Sequence, residues 1–397
     1  MEVVPDSLWS SKSIIAFNCV AKFTANPSMK TTRINKSQFF KTITSGIAIL
    51  LALTSAGVAE DAKPVVGKGP LKIFLLAGQS NMEGHATFPT IDFLGEDTDP
   101  ARAALLKKFK PDGKTLVTRD DVWVVSAIWG GGSPFDKLQP GLGARSDASQ
   151  LGGKIGPEYG FGYFMGEALE EQVLLIKVAA GGTSLYQYWR PPSAGPLAVA
   201  KPEDVGGMYR SLVANTHDTI RDLKKLFPAY DEKAGYEIAG LVWFQGYNDM
   251  FDETGRKEYG KNLVMLINDL RKEFKAPNMK VAVGVMGVNG PLNEGTINPK
   301  QKDVRDGQRF VNTVPEFKGN VKAFESAPLL HPKVVELTAG EWLHTRDFKK
   351  DPHTPEEKAL LQRATSNMGF HYNGEGRFFI LLGKQFADTM LELMRTK

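Results

Sequence analysis

Six apolar runs, spaced widely enough to hold helices between them, constrain this chain more than any other feature. They are LKIFLLA (71–77), VWVVSAI (122–128), VLLIKVAA (173–180), IAGLVWFQ (238–245), KVAVGVMGV (280–288) and NVKAFES (320–326). Unbroken runs of β-branched and aromatic residues, without strict polar alternation, suit strands covered on both faces. Helix-like segments lie between them at 158–170, 206–227, 255–274 and 355–366, and a last one runs from about 374 to 395. Within 255–274, Leu263, Leu266, Ile267 and Leu270 recur at three- and four-residue steps and form one buried stripe. Strands alternating with such helices predict a parallel sheet with right-handed crossovers. The expected architecture is an open three-layer α/β/α domain. Residues 83–120, 130–155 and 289–319 fit this ladder poorly and are expected to be long loops on a single domain covering 60–397.

The first 59 residues stand apart. Counted from Met29, Lys30, Arg33, Lys36 and Lys41 form a basic stretch, Gly46–Leu53 an apolar one, and small residues follow. That is the pattern of a secretory signal peptide, and its apolar part is far shorter than the roughly 20 residues that span a bilayer. The expectation is a secreted or periplasmic protein with no membrane attachment once the leader is cleaved. The net charge of +4 also resides there. Removing 1–59 takes away six of 49 basic residues and two of 45 acidic ones, leaving 43 of each, so nucleic acid is not an expected partner. Cys19, the sole cysteine, goes with the leader, and no disulfide or cysteine metal site is expected in the remainder.

In an open parallel sheet, reactive groups gather beyond the carboxyl ends of the strands. Ser80 follows the first run in "GQSN", where it can be a helix cap or a nucleophile beside free backbone N–H groups. The third run ends in Gly181-Gly182, a tight turn or a place where backbone approaches a ligand. Gln245, Asn248 and Asp249 follow the fourth run in "QGYND", a pattern that an Asx turn would also explain. Near the other end, "FHYNG" puts His371 just before the last helix, and a neutral imidazole is the usual acceptor of a serine proton.

The order of these blocks, "GQSN", Gly-Gly, "GYND" and "HYNG", resembles that of the SGNH hydrolases. "LAGQSNMEG", "GPEYGFG", "IKVAAGGTSL", "LVWFQGYNDM" and "HYNGEG" are more closely similar to the sialate O-acetylesterase and acetylxylan esterase-like branch, akin to carbohydrate esterase family 6. The resemblance implies a flavodoxin-like sheet, Ser80 as nucleophile, and His371 as general base and then acid. It implies an oxyanion hole made by the Ser80 N–H, the N–H of Gly182 or Gly181, and the Asn248 side chain, with Gln245 as a competing donor. Neither metal nor cofactor is implied. The implied reaction is hydrolysis of acetyl esters on a carbohydrate partner through an acetyl-enzyme.

One departure stands out. Many SGNH enzymes carry Asp three residues before the histidine, where this chain has Met368. Asp249 is the first candidate for the orienting acid, followed by Glu375 and Glu158. A Ser–His dyad oriented by a backbone carbonyl is an equal alternative. The missing acid also leaves open a non-catalytic glycan-binding protein on a degenerate esterase scaffold. For substrate contacts, "LYQYWRPP" offers Tyr186, Tyr188, Trp189 and Arg190 as a sugar platform, with packing under a loop as the other reading; Trp129 has the same two readings.

Overall fold

In the computed structural model, the described residues are 68–128, 131–144, 153–227, 230–291, 298–339 and 352–396. The expected leader and Trp129 lie outside them. Nine strands occur among these residues: β1 (Leu71–Gly78), β2 (Ala86–Thr87), β3 (Arg119–Ile128), β4 (Gly131–Leu138), β5 (Lys154–Ile155), β6 (Val173–Ala179), β7 (Tyr236–Phe244), β8 (Lys280–Val285) and β9 (Val321–Glu325). Seven form one sheet in the order β4-β3-β6-β1-β7-β8-β9, and β2 pairs with β5 apart from it.

The α/β expectation holds. All six apolar runs are strands of the sheet, and every neighbouring pair among them is parallel. Counting only these six in chain order, the ladder reads 2-3-1-4-5-6; flavodoxin's own ladder is 2-1-3-4-5. Both reverse their winding beside the first strand, and here β1 lies between β6 and β7, with the chain leaving all three at the same edge. That edge receives Ser80, Gly181-Gly182 and the 245–249 segment.

Two adjacent residues of β7 display the three layers. Trp243 donates from Nε1 to the hydroxyl of Tyr259, on the helix Glu253–Glu273, at 3.1 Å. Phe244 points the other way and meets Phe386, on the helix Gly376–Arg395, edge to face with ring centroids 5.9 Å apart. The C-terminal helix and Pro157–Ala168 press together so closely that a Cβ on Gly160 would come within 2.7 Å of the Ile380 carbonyl oxygen.

The segments expected to be loops contain more structure than that. β4 pairs antiparallel with β3 at the sheet edge. Its sequence, GGSPFDKL, carries glycines and a proline, which a strand tolerates at an edge and which hide it from pattern reading. Within 289–319 lies the helix Pro299–Arg309. Its buried side is Gln301, Val304, Arg305 and Gln308, so hydrophobic periodicity could not reveal it. The local signal is its start, where Asn298 accepts from the N–H of Lys300 and Pro299 takes the first turn.

Candidate active site

Ser80 opens a single helical turn, Ser80–Glu83, directly after β1. The Gln79 carbonyl accepts from the N–H groups of both Met82 and Glu83. The N–H of Ser80, at the mouth of the turn, has no carbonyl within the turn to reach. Ser80 itself is buried. Gly181 lies beside it: a Cβ there would stand 3.5 Å from the Ser80 Cβ and 3.3 Å from Glu83 Oε2. A glycine therefore leaves room above the serine that any other residue would fill.

Gln79 ties the Ser80 turn to the 245–249 segment. Its Oε1 accepts from the backbone N–H groups of Gly246 (3.2 Å) and Asn248 (3.3 Å) and from Gln245 Nε2 (3.2 Å). Asn248 Nδ2 donates to the Gly182 carbonyl at 2.7 Å, so the amide expected in the oxyanion hole sits against the Gly-Gly turn. Gly182 has φ +78, which is why glycine serves there.

Two expected site residues are committed to the interior. The Nε2 of Gln245 lies within hydrogen-bonding distance of Thr183 O (3.0 Å) and Asp249 Oδ2 (2.6 Å) as well as Gln79, while its Oε1 accepts from the Tyr259 hydroxyl. Its amide protons are thus engaged inside the protein, and Gln245 supports the segment that carries Asn248. Asp249 is fully buried; Oδ1 accepts from the N–H of Tyr186 and Oδ2 from that of Leu185, both at 2.9 Å. The expected orienting acid therefore anchors the chain after the Gly-Gly turn instead. Burial raises its carboxyl from the ordinary 3.8 to about 6, despite hydrogen bonds from Gln245 and the two backbone N–H groups that favour the ionised form.

The other acids considered are also engaged elsewhere. Glu158 pairs with Lys177 at 2.7 Å, both wholly buried, and accepts from the Gly156 N–H. Glu375 pairs with buried Arg377 at 3.0 Å.

His371 reaches the site on an unusual stretch of backbone. Tyr372, Asn373 and Gly374 all have positive φ, at 53, 57 and 58. For a bulky residue such as Tyr372 this conformation is costly and must be imposed by its surroundings. Its ring stacks on Phe378 at 4.1 Å, and its hydroxyl accepts from the Gly287 N–H at 2.9 Å. The Asn373 carbonyl accepts from the N–H groups of Ser366 and Asn367, which closes the loop.

That loop docks on the Ser80 turn. Asn81 Nδ2, next to Ser80, donates to the carbonyl of Phe370, next to His371, at 3.1 Å. The ring of His85 stacks on that of His371 with centroids 3.8 Å apart and planes 5° from parallel. His371 Nδ1 lies 2.9 Å from Asn367 Oδ1. A side-chain amide thus occupies the place where an Asp was sought. Sequence reasoning missed Asn367 because it looked for acids; asking which carbonyl-bearing side chain precedes the histidine would have found it. It passed over His85 although that residue directly follows "LAGQSNMEG".

The sugar platform changes as well. Trp189 is entirely buried, edge to face with Trp243, and its Nε1 donates to Thr183 Oγ1. Arg190 is buried and staples its own loop, donating to the carbonyls of Gly195, Tyr186 and Ala194. Both side chains are taken up in packing or in bracing their own loop. Tyr186 and Tyr188 are half-buried, and the Arg190 guanidinium lies 5.4 Å from the Tyr186 ring centre. Among the described residues, no three His, Cys, Asp or Glu side chains come together to hold a metal ion.

The sequence matches the family described as "Carbohydrate esterase, sialic acid-specific acetylesterase" over residues 70–323. This span includes the Ser80, Gly-Gly and 245–249 blocks and ends before His371. A protein of Arabidopsis thaliana named "Probable carbohydrate esterase" is 23% identical over 215 residues, which are 53% of this chain and 67% of that protein. The crystal structure of that Arabidopsis protein superposes with a TM-score of 0.47 at 18% identity, covering 83% of this chain and all of the other. The structure of NanS superposes with a TM-score of 0.48 at 12% identity, covering 84% of this chain and all of that one.

Proposed function

The chain belongs to the carbohydrate esterase family of sialic acid-specific acetylesterases, and from that premise we propose that it is a secreted, serine-dependent O-acetylesterase acting on acetylated glycans. The observation that carries the serine chemistry is the docking of the His371 loop on the Ser80 turn, through Asn81 and Phe370 on one side and the His85–His371 stack on the other.

In this reading Ser80 Oγ attacks the acetyl carbonyl carbon while His371 takes the hydroxyl proton. The carbonyl oxygen becomes an oxyanion that receives hydrogen bonds from the Ser80 N–H, a Gly181 or Gly182 N–H and the Asn248 amide. As the tetrahedral intermediate collapses, the ester C–O bond breaks and the departing sugar oxygen takes the proton back from His371. Water then attacks the acetyl-Ser80 ester, with His371 again as base, and releases acetate and free enzyme. Asn367 holds the ring through Nδ1, and Nε2 is the nitrogen that exchanges the proton. The signal-like leader motivates secretion, and acetylated sialate and acetylated xylan are the two substrate types to compare.

The test is acetate release from an aryl acetate and from a panel of acetylated glycans, combined with fluorophosphonate labelling. Ser80→Ala should abolish both turnover and labelling, and His371→Ala should abolish turnover. Wild-type-like rates in either variant would sink this mechanism. The competing glycan-binding reading, motivated by the absent Asp-x-x-His acid, predicts saturable glycan binding without labelling of Ser80.

A further inference from the structure

We propose that Phe370, Tyr247 and Phe251 form a stacking subsite for the pyranose rings of an oligosaccharide chain, so that the substrate is an acetylated oligomer or polymer and not a free acetylated monosaccharide. This rests on the esterase reading above and concerns the same site.

The three rings form a chain of contacts that begins at the His371 imidazole and ends at the most exposed of them. Phe370 lies edge to face with His371, centroids 4.4 Å apart. Tyr247 follows at 5.9 Å from Phe370, and Phe251 at 5.7 Å from Tyr247. The outermost ring is the least protected. Phe251 is 68% exposed, against 45% and 43% for Tyr236 and Phe310, the other exposed large apolar side chains among the described residues. A single exposed apolar residue needs no explanation in itself. Phe251, however, continues a row that begins at the general base, and its backbone is well fixed. It ends the turn Tyr247–Phe251, and the next residue, Asp252, caps the helix Glu253–Glu273 by accepting from the Gly255 N–H at 2.6 Å.

The direction of the row matches the chemistry. In ester hydrolysis the acid that protonates the leaving oxygen is the base that first took the serine proton, so the departing sugar must lie on the His371 side. A chain of aromatic side chains that starts at His371, with ring planes tilted 37° to 71° to one another, and ends at exposed Phe251 is placed to meet the leaving group and whatever is attached to it. Pyranose rings present apolar C–H faces, which aromatic side chains cover well while their hydroxyls stay wet. An acetylated monosaccharide would end near Phe370, and Phe251 gains a role only when further sugar units continue outward.

The test compares wild-type protein with Phe251→Ala and Phe251→Trp on three substrate types: an aryl acetate, acetylated monosaccharides, and acetylated oligosaccharides of xylan, mannan and sialyl type. Phe251→Ala should raise KM on the best oligosaccharide about 3- to 10-fold more than on the aryl acetate or monosaccharide, and Phe251→Trp should restore most of it. Equal changes on all three substrate types, or no change on the oligosaccharide, would overturn the proposal. So would a wild-type enzyme that cleaves monosaccharide or aryl acetates but no oligosaccharide. Failure of the wild-type protein to release acetate from anything would instead remove the esterase reading beneath it.

Discussion

Asn367 Oδ1 stands 2.9 Å from Nδ1 of His371, so a neutral amide carbonyl holds the ring that many related sites orient with a carboxylate. The same oxygen accepts from the Met368 N–H, which fixes the amide's orientation from its own backbone. An uncharged partner selects the tautomer with the proton on Nδ1 but gives the imidazolium less electrostatic support than an anion would. Asn367→Asp should therefore raise the pKa of His371, because a nearby negative charge favours the protonated ring. The acid limb of the kcat/KM profile should move up by about 1 pH unit or more. An unmoved limb in a well-folded variant would show that Asn367 does not govern the protonation of His371 during turnover.

Asn248 is held at the Gly-Gly turn by its hydrogen bond to Gly182. If its amide also meets the oxyanion, Asn248→Ala should lower kcat about 10²- to 10³-fold, with a much smaller change in KM. Steady-state kinetics on an aryl acetate measures this. A loss confined to KM would assign Asn248 to substrate binding alone.

Lys177, in the middle of the sheet, donates to the carbonyls of Glu83 and Leu142 and pairs with Glu158. Its contact with Glu83 clamps the far end of the Ser80 turn. Lys177→Met leaves Glu158 as a buried charge without its counter-ion and should cost about 3–5 kcal/mol in denaturant unfolding. Combining it with Glu158→Gln should recover a good part of that loss, since the unpaired charge is then gone. Full recovery of stability with lowered kcat would separate the clamp's effect on the Ser80 turn from its effect on the fold.

Asp249 gives the fold a pH dependence of unusual sign. Its native pKa of about 6 lies above the ordinary 3.8, so between these values the folded state binds more protons than the unfolded one. Its contribution is fully present below the lower value and falls as pH rises through about 6. The stability of the wild type relative to Asp249→Asn should therefore decline from pH 4 to pH 7, by on the order of 3 kcal/mol at most. Thermal unfolding of both proteins across this range measures it, and a relative stability that rises with pH would contradict the assignment.

Much of the scaffold is legible in the amino-acid sequence. The six apolar runs are strands because fully covered strands must be apolar on both faces, and that requirement is written in consecutive residues. The helix Glu253–Glu273 announces itself through the stripe ending at Leu270. The helix Pro299–Arg309 does not, since a helix that buries glutamines and an arginine carries no apolar period. Gln308 gives the reason for that polar face: it reaches the Gln245 carbonyl and the Met286 N–H, backbone groups at the ends of β7 and β8 that a leucine could not satisfy.

At the site, the division is between which residues belong and what each one does. The amino-acid sequence alone singled out Ser80, Gly182, Asn248 and His371, because glycines, amides and a histidine follow the apolar runs in the order of the SGNH blocks. It did not reveal that Asn367, and not Asp249, lies against the His371 ring, or that Trp189 is buried. Those choices depend on where side chains distant in sequence point once the sheet has assembled. Asp249 faces the Leu185 and Tyr186 N–H groups because buried donors need an acceptor, and Asn367 faces His371 because the left-handed turn at Tyr372–Gly374 folds the chain back on itself. Residue type sets the chemistry available at a strand end, and only tertiary packing decides which neighbour uses it.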